Sequence, residues 1–140
     1  PIMDTPFTLG DRYYRINCFT LGCPHCVVFV DRVEKENVQE VGKLFSEAPE
    51  FAPGLHTEFV KVVNPTTLIM RAYEPDNGET AGFGTGACAA VAAAIANHHC
   101  APETEITVKM PGGELLVMFK HSEFAVTVGV SAIYRGISQY

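Results

Sequence analysis

The stretch "GTGACAAVAAAIA", residues 84–96, decides the fold. After its glycines and Thr85 it carries only alanine, cysteine, valine and isoleucine, so a helix formed here has no polar face. A helix that is apolar on every side has to be surrounded by protein. The sequence therefore predicts a buried helix over 84–96, with the rest of the chain packed around it.

Strand patterns on both sides of this helix supply the surrounding structure. Alternating or β-branched runs predict about eight strands, which are residues 12–20, 26–30, 58–63, 67–73, 106–110, 114–120, 124–130 and 132–135. Residues 34–46 have apolar side chains at helical spacing and predict a surface helix, whereas 74–80 predict a loop. Because most strands follow one another through short turns, we expect an α+β fold with a curved, largely antiparallel sheet wrapped around the 84–96 helix.

Length and charge set limits on the class of protein. The 140 residues suit a single domain, 1–140. A net charge of −6 without a basic run argues against nucleic acid or acidic membranes as partners. The most apolar stretch, 87–96, is too short to span a bilayer. Five unevenly spaced cysteines and a start without a signal-peptide pattern lead us to expect reduced thiols and a cytoplasmic protein.

The motif Cys23-Pro24-His25-Cys26 has the Cys-x-x-Cys spacing of redox and zinc sites. A redox pair normally opens a helix, whose N-terminus stabilises the thiolate, but residues 27–30 (VVFV) predict a strand. A zinc site completed by residues 98–100 (HHC) matches no common ligand spacing. We therefore expect no redox pair and no metal, and buried or half-buried thiols at Cys23 and Cys26.

Glycines stand directly before the buried helix. Gly84, Thr85 and Gly86 leave the first backbone N–H groups exposed, and this predicts an anion site for a carboxylate or phosphate. A dinucleotide fingerprint requires a strand just before G-x-G-x-x-G, whereas a polar loop precedes G-x-G-x-G here. The alternative is that the glycines only permit close packing of the helix. We favour the anion site.

Several segments resemble, in the same order, the motifs of diaminopimelate epimerases. "GCPHCVVFVD" is similar to G-N-P-H-C-V-x-F-V, and "EAPEF" with "TEFVKV" to E-x-P-x-F and N-V-E-F-V-x-V. "AYEPDNGETAGFGTGACAA" resembles Y-E-R-G-x-G-E-T-x-x-C-G-T-G-A-C-A-A, and "MPGGELLV" and "IYRG" also fit. The opening "PIMDTPF" resembles the segment leading into the second domain. An N-terminal proline can be the catalytic amine of a tautomerase. We expect instead that this sequence is the C-terminal half of a longer chain.

The resemblance implies a cofactor-independent, two-domain epimerase that converts LL- to meso-diaminopimelate in lysine biosynthesis. Each domain would supply one cysteine, one acting as base and the other as acid on the substrate's α-carbon. It further implies a small amino-acid substrate and a missing N-terminal domain, and it allows a homodimer. The substrate carboxylate would rest on the N–H groups of residues 84–86, with His25 and Glu74 lining the site.

The sequence departs from the family pattern at four positions of the implied site. Phe83 stands where the second catalytic cysteine falls, so it offers no exchangeable proton. Cys23 and His56 replace two asparagines that would hold the substrate, and Pro75 replaces an arginine. Three alternatives follow: an epimerase half with an altered site, a racemase for another substrate, or a non-catalytic domain that keeps the fold. We expect residues 1–140 alone to be inactive.

Overall fold

The computed structural model describes residues 1–81 and 84–128. This part of the chain contains nine strands, two α-helices and a short 3₁₀ helix. The strands are β1 Ile2–Leu9, β2 Arg12–Leu21, β3 Cys23–Phe29, β4 His56–Asn64, β5 Thr67–Glu74, β6 Gly78–Thr80, β7 Ile106–Met110, β8 Gly113–Lys120 and β9 Glu123–Val128. The helices are the 3₁₀ turn Val33–Lys35, α1 Val38–Glu47 and α2 Gly86–Ala96.

One mixed sheet contains all nine strands of the described residues, in the order β1-β2-β3-β4-β5-β7-β8-β9. β6 and β7 both pair with the same edge of β5. β7 pairs with residues 67–69 at its beginning, and β6 with residues 72–74 at its end. Only β3–β4 and β5–β7 pair in parallel among these strands. Parallel neighbours need a long crossover, and the crossovers carry α1 and α2. The predicted α+β fold with a largely antiparallel sheet is therefore confirmed.

The helix α2 packs against one face of the sheet. Seven of its eleven residues are buried: Ala87, Cys88, Ala89, Ala90, Val91, Ala93 and Ala94. Apolar side chains from six strands surround them, among them Val27, Val60, Met70, Val108, Val117 and Val126. Because these strands extend from β3 to β9, the sheet wraps around α2, as the sequence predicts. The small side chains let the helix lie close to the strands on this face.

The helix α1 covers the opposite face. Its apolar stripe of Val38, Val41 and Phe45 is buried, and its N-cap Asn37 accepts a hydrogen bond from the N–H of Glu40. The predicted surface helix over 34–46 is confirmed, although its first residues form the 3₁₀ turn instead. α1 and α2 thus lie on opposite faces of β3, β4 and β5.

Two strands were not predicted. The loop predicted over 74–80 is wrong at its end, because β6 pairs with β5 there. Arg71 on β5 makes two hydrogen bonds to the carboxylate of Glu79 on β6, of 2.7 and 2.9 Å, and this fixes the short strand. β1 is an edge strand and most of its residues are exposed, so its sequence does not show the alternation of buried and exposed residues that predicts a strand. It also contains Pro6, which edge strands tolerate.

The last predicted strands lie only partly within the described residues. β9 confirms the first of them up to Val128, and the prediction for residues 129–135 lies outside the described part. Within residues 1–81 and 84–128, no helix is long and apolar enough to cross a membrane.

Candidate active site

Four polar side chains on β3 and β4 share the face of the sheet that α2 covers. They are Cys23, His25, His56 and Glu58. Cys23 and His25 are two residues apart on β3, so both point to the same side. The parallel register of β3 and β4 places His56 opposite His25. Glu58 follows two residues later on β4 and joins the same face. The result is a polar cluster inside an otherwise apolar layer.

His25 makes several short polar contacts in this cluster. Its side chain is completely buried, and its Nδ1 lies 2.9 Å from Oε2 of Glu58. Its Nε2 lies 3.1 Å from the carbonyl oxygen of Leu21, 3.2 Å from Oγ1 of Thr85 and 3.5 Å from Sγ of Cys23. His25 therefore connects β4, the start of β3 and the beginning of α2.

Glu58 and His25 form a buried, hydrogen-bonded pair. Burial raises the pKa of the Glu58 carboxyl, and the His25 ring opposes that shift. Burial lowers the pKa of His25, but the hydrogen bond and charge of Glu58 outweigh it, so the net pKa is raised. A single proton between Nδ1 and Oε2 satisfies both groups. The second oxygen, Oε1 of Glu58, is buried without a hydrogen-bond partner among the described residues.

The beginning of α2 lies directly against this pair. Thr85 is the N-cap residue, but its hydroxyl does not cap the helix and contacts His25 instead. A side chain at Gly86 would put its Cβ 3.3 Å from Oε2 of Glu58, so glycine permits the close approach. Gly84 adopts φ +117°, a conformation that favours glycine. The N-terminal N–H groups, which lack partners within a helix, are thus held beside the cluster.

A cavity of about 230 Å³ opens beside the helix N-terminus. It is lined by His56, Glu58, Glu74, Gly84, Thr85 and Gly86 among others. Pockets for drug-sized ligands span roughly 300–1,000 Å³, so this cavity suits a smaller molecule. Its wall combines helix N–H groups, which attract anions, with the carboxylate of Glu74, which attracts cations. This combination fits a small zwitterion.

The structure brings most predicted site residues together. Cys23, His25, His56, Glu74 and residues 84–86 all lie in the cluster or line the cavity. The predicted catalytic position, Phe83, lies outside the described residues. Glu58 is a site residue that was not predicted, although an acidic residue within the apolar run "TEFVKV" marks it as a buried group.

The two cysteines of the Cys-x-x-Cys motif lie on opposite faces of the sheet. Cys23 faces α2, whereas Cys26 is buried on the α1 side and is paired with Cys18 across β2 and β3. A strand cannot bring residues i and i+3 together on one face, so this arrangement does not form a dithiol pair. Burial raises the pKa of the Cys23 thiol.

Solved structures with this architecture define the class of fold. A phenazine biosynthesis protein of the PhzF family from Bacillus anthracis superimposes with a TM-score of 0.56 at 18% identity, covering 82% of this chain and 38% of that protein. A protein of the same family from Enterococcus faecalis gives a TM-score of 0.55 at 18% identity, covering 81% of this chain and 42% of that protein. This level of similarity establishes the fold.

Sequence similarity establishes the family. The sequence model of the diaminopimelate epimerase family matches residues 18–133. A diaminopimelate epimerase from Thermosynechococcus vestitus is 38% identical over 119 residues, covering 83% of this chain and 42% of that protein. One from Geobacillus kaustophilus is 37% identical over 140 residues, covering 99% and 48%. The chain therefore belongs to the diaminopimelate epimerase family, and it spans less than half the length of these relatives.

Proposed function

We propose that residues 1–140 form the C-terminal domain of a two-domain, epimerase-like protein that acts on a small amino acid without a cofactor. The observation that carries this proposal is the cavity between β4, β5 and the N-terminus of α2. Its N–H groups can hold an α-carboxylate, and Glu74 can hold an ammonium group. Membership of the diaminopimelate epimerase family makes diaminopimelate the first substrate to test.

The proposed chemistry needs two groups that exchange a proton on opposite faces of the α-carbon. In the family pattern one group comes from the other half of the protein, and the second falls on Phe83. The helix N-terminus would stabilise the negative charge that develops when the proton leaves. Residues 1–140 alone therefore lack both proton-exchanging thiols of the pattern. We propose that they bind the substrate without epimerising it.

A second candidate is a domain that keeps the fold and the anion site but performs no epimerisation. Phe83 favours it, because a phenylalanine ring neither accepts nor donates a proton. Cys23 and His56 favour it as well, since they replace the amides of the family pattern inside the cluster. A racemase for another amino acid would need a different proton donor at this place.

The test is exchange of the α-hydrogen of diaminopimelate for deuterium in D₂O. We expect no exchange with residues 1–140 alone, and exchange by this fragment would contradict the proposal. In the full-length protein we compare Phe83→Cys with the same change combined with Cys23→Asn, His56→Asn and Pro75→Arg. The combined variant should exceed the single one by about 100-fold, because misplacing a substrate by 1 Å costs a factor of that order.

Equal activity of the two variants would show that the side chains at positions 23, 56 and 75 contribute little to holding the substrate. Exchange by the unaltered full-length protein would show that Phe83 does not disable it. No exchange in any variant, together with retained diaminopimelate binding, would favour the non-catalytic domain. Binding is measured separately by isothermal titration calorimetry, with Ala96→Leu, an exposed change at the far end of α2, as the control variant.

A further inference from the structure

Three potential metal ligands meet at the polar cluster. Sγ of Cys23 and ring nitrogens of His25 and His56 all lie within 4.8 Å of one another. They form the one group of three or more candidate ligand residues in the described parts of the chain. Their proximity follows from the strands, because Cys23 and His25 alternate along β3 and His56 is the β4 residue in register with His25.

We propose that Cys23, His25 and His56 bind one divalent transition-metal ion of the zinc type, with a fourth position open toward the cavity. A thiolate and two imidazoles are the ligands that zinc and cobalt(II) prefer. Three protein ligands leave the fourth position of a tetrahedral ion to a water molecule. This inference goes beyond the proposed function, since it concerns metal binding measured without any substrate.

The geometry of the cluster is close to that of such a site. A tetrahedral zinc ion with ordinary bond lengths separates its sulfur and nitrogen ligands by about 3.6 Å. The distance from Sγ of Cys23 to Nε2 of His25 is 3.5 Å. His56 is half-exposed and lines the cavity, so an ion can enter from that side and the remaining ligand can approach by a side-chain rotation.

Glu58 orients His25 for metal binding. With an ion bound, the Glu58 carboxylate would accept the hydrogen of Nδ1 at 2.9 Å and leave Nε2, 3.5 Å from Sγ of Cys23, to bind the ion. Metal-bound histidines commonly make this second contact with a carboxylate, which fixes the ring and strengthens the ligand. A protonated Nε2 donates a hydrogen bond to the carbonyl oxygen of Leu21 at 3.1 Å, so an ion that binds Nε2 replaces this hydrogen.

The surrounding charge supports a cation. The carboxylate of Glu58 lies 2.9 Å from the His25 ring, and Glu74 lines the same cavity as His56. A divalent ion would offset these charges and stabilise the thiolate. Relative to the family pattern, two amide side chains have become two metal ligands on either side of a retained histidine. The proposal departs from the sequence-based expectation of no metal, which considered Cys23 with Cys26 and residues 98–100.

The test is anaerobic titration of the metal-free full-length protein with Co²⁺. We expect one equivalent to bind, with a thiolate-to-cobalt charge-transfer band and the intense visible bands of tetrahedral cobalt. Cys23→Asn should abolish the charge-transfer band. Glu58→Gln should keep the band but weaken Co²⁺ binding by about 10–100-fold, as expected for loss of a carboxylate partner behind a metal-bound histidine.

Matched controls separate this site from unspecific binding. His56→Asn should lower Co²⁺ affinity, whereas His98→Asn should not, because His98 is exposed and its φ of +64° suits asparagine. The proposal is overturned if the unaltered protein binds Co²⁺ without a thiolate band. It is equally overturned if the band survives in Cys23→Asn or if His56→Asn and His98→Asn bind equally well. The cobalt spectrum of the unaltered protein can overturn the proposal by itself, so the test remains decisive even if a variant misfolds.

Discussion

Hydrogen bonding and burial shift the pKa values of Cys18, Cys26 and Cys88 in different directions. Cys18 and Cys26 face each other across β2 and β3. The hydrogen bond from the Cys26 thiol lowers the pKa of Cys18, and the same contact, with burial, raises the pKa of Cys26. Burial raises the pKa of Cys88 to about 11. Since the thiolate is the nucleophile, these differences predict an order of reactivity.

Cys18 should be alkylated by iodoacetamide well before Cys88 at pH 8. At that pH a thiol of pKa near 11 is about 0.1% thiolate, whereas Cys18, with its lowered pKa, carries a far larger fraction. The difference should shrink as the pH rises toward 11. Mass spectrometry of peptides after brief labelling measures it. Cys26→Ala should slow labelling of Cys18 by removing the donor, and Cys26→Ser should not; faster labelling of Cys88 than of Cys18 would contradict the prediction.

Only part of the candidate site could be predicted residue by residue. The motif resemblance predicted four of the site residues, because a motif gives both the position and the type of each side chain. These are Cys23, His25, His56 and Glu74. The role of Glu58 did not, because its significance depends on facing His25 across two strands in parallel register. A sequence shows that a strand alternates, but it does not show which strand lies next to it.

The strand β3 decides how the Cys-x-x-Cys motif is used. Its β-branched residues favour a strand over the helix that a redox pair requires. The strand then separates the two thiols onto opposite faces, one toward each helix. The expectation that they form no redox pair remains a prediction, and the geometry supplies its physical reason.

The contact of α1 with β5 depends on one glycine. A Cβ at Gly42 would lie 2.3 Å from Cγ and 2.5 Å from Cβ of Tyr73, and both atoms are close to the backbone. Tyr73 is itself buried, so it has little room to move. The helix approaches the sheet this closely because position 42 has no side chain.

Gly42→Ala should destabilise the fold by about 1–3 kcal/mol, the usual cost of overpacking a core. In an exposed helix interior the same change stabilises by roughly 0.5–1 kcal/mol, so the sign itself is informative. Urea denaturation followed by circular dichroism measures the free energy of unfolding. Lys43→Ala, an exposed change on the same helix, serves as control. A Gly42→Ala variant as stable as the unaltered chain would show that α1 does not need the close approach.

At the scale of the whole molecule, the buried helix and seven of the nine strands in the described residues could be predicted because both rest on local patterns. The apolar run of α2 is compatible only with a buried helix, and the strands show alternating apolar and polar residues or β-branched runs in the sequence. The parallel pairs, β1 and β6 could not be predicted from such patterns. The parallel pairs depend on partners far along the chain and on crossovers whose direction the sequence does not state. The strand β6 depends on a side-chain contact, Arg71 with Glu79, that no strand pattern reveals.

The arrangement around α2 bears on whether residues 1–140 fold alone. Among the described residues, buried apolar side chains on β3, β4, β5, β7, β8 and β9 surround the helix, and Phe19 and Leu21 of β2 pack against them. Ala90 is fully buried among them, whereas Ala96 at the end of the same helix is exposed. The environment of Ala90 is therefore complete without a second domain, and the fragment has a core of its own.

The isolated fragment should unfold cooperatively, and Ala90→Leu should lower its free energy of unfolding by about 1–3 kcal/mol. Three added carbons find no space in a core packed to ordinary density. Ala96→Leu makes the same chemical change at an exposed position and should shift the free energy by no more than about 0.5 kcal/mol. Thermal denaturation of both variants measures the difference. Equal stability of the two variants, or a gradual transition in the unaltered fragment, would mean that α2 is enclosed only when another domain is present.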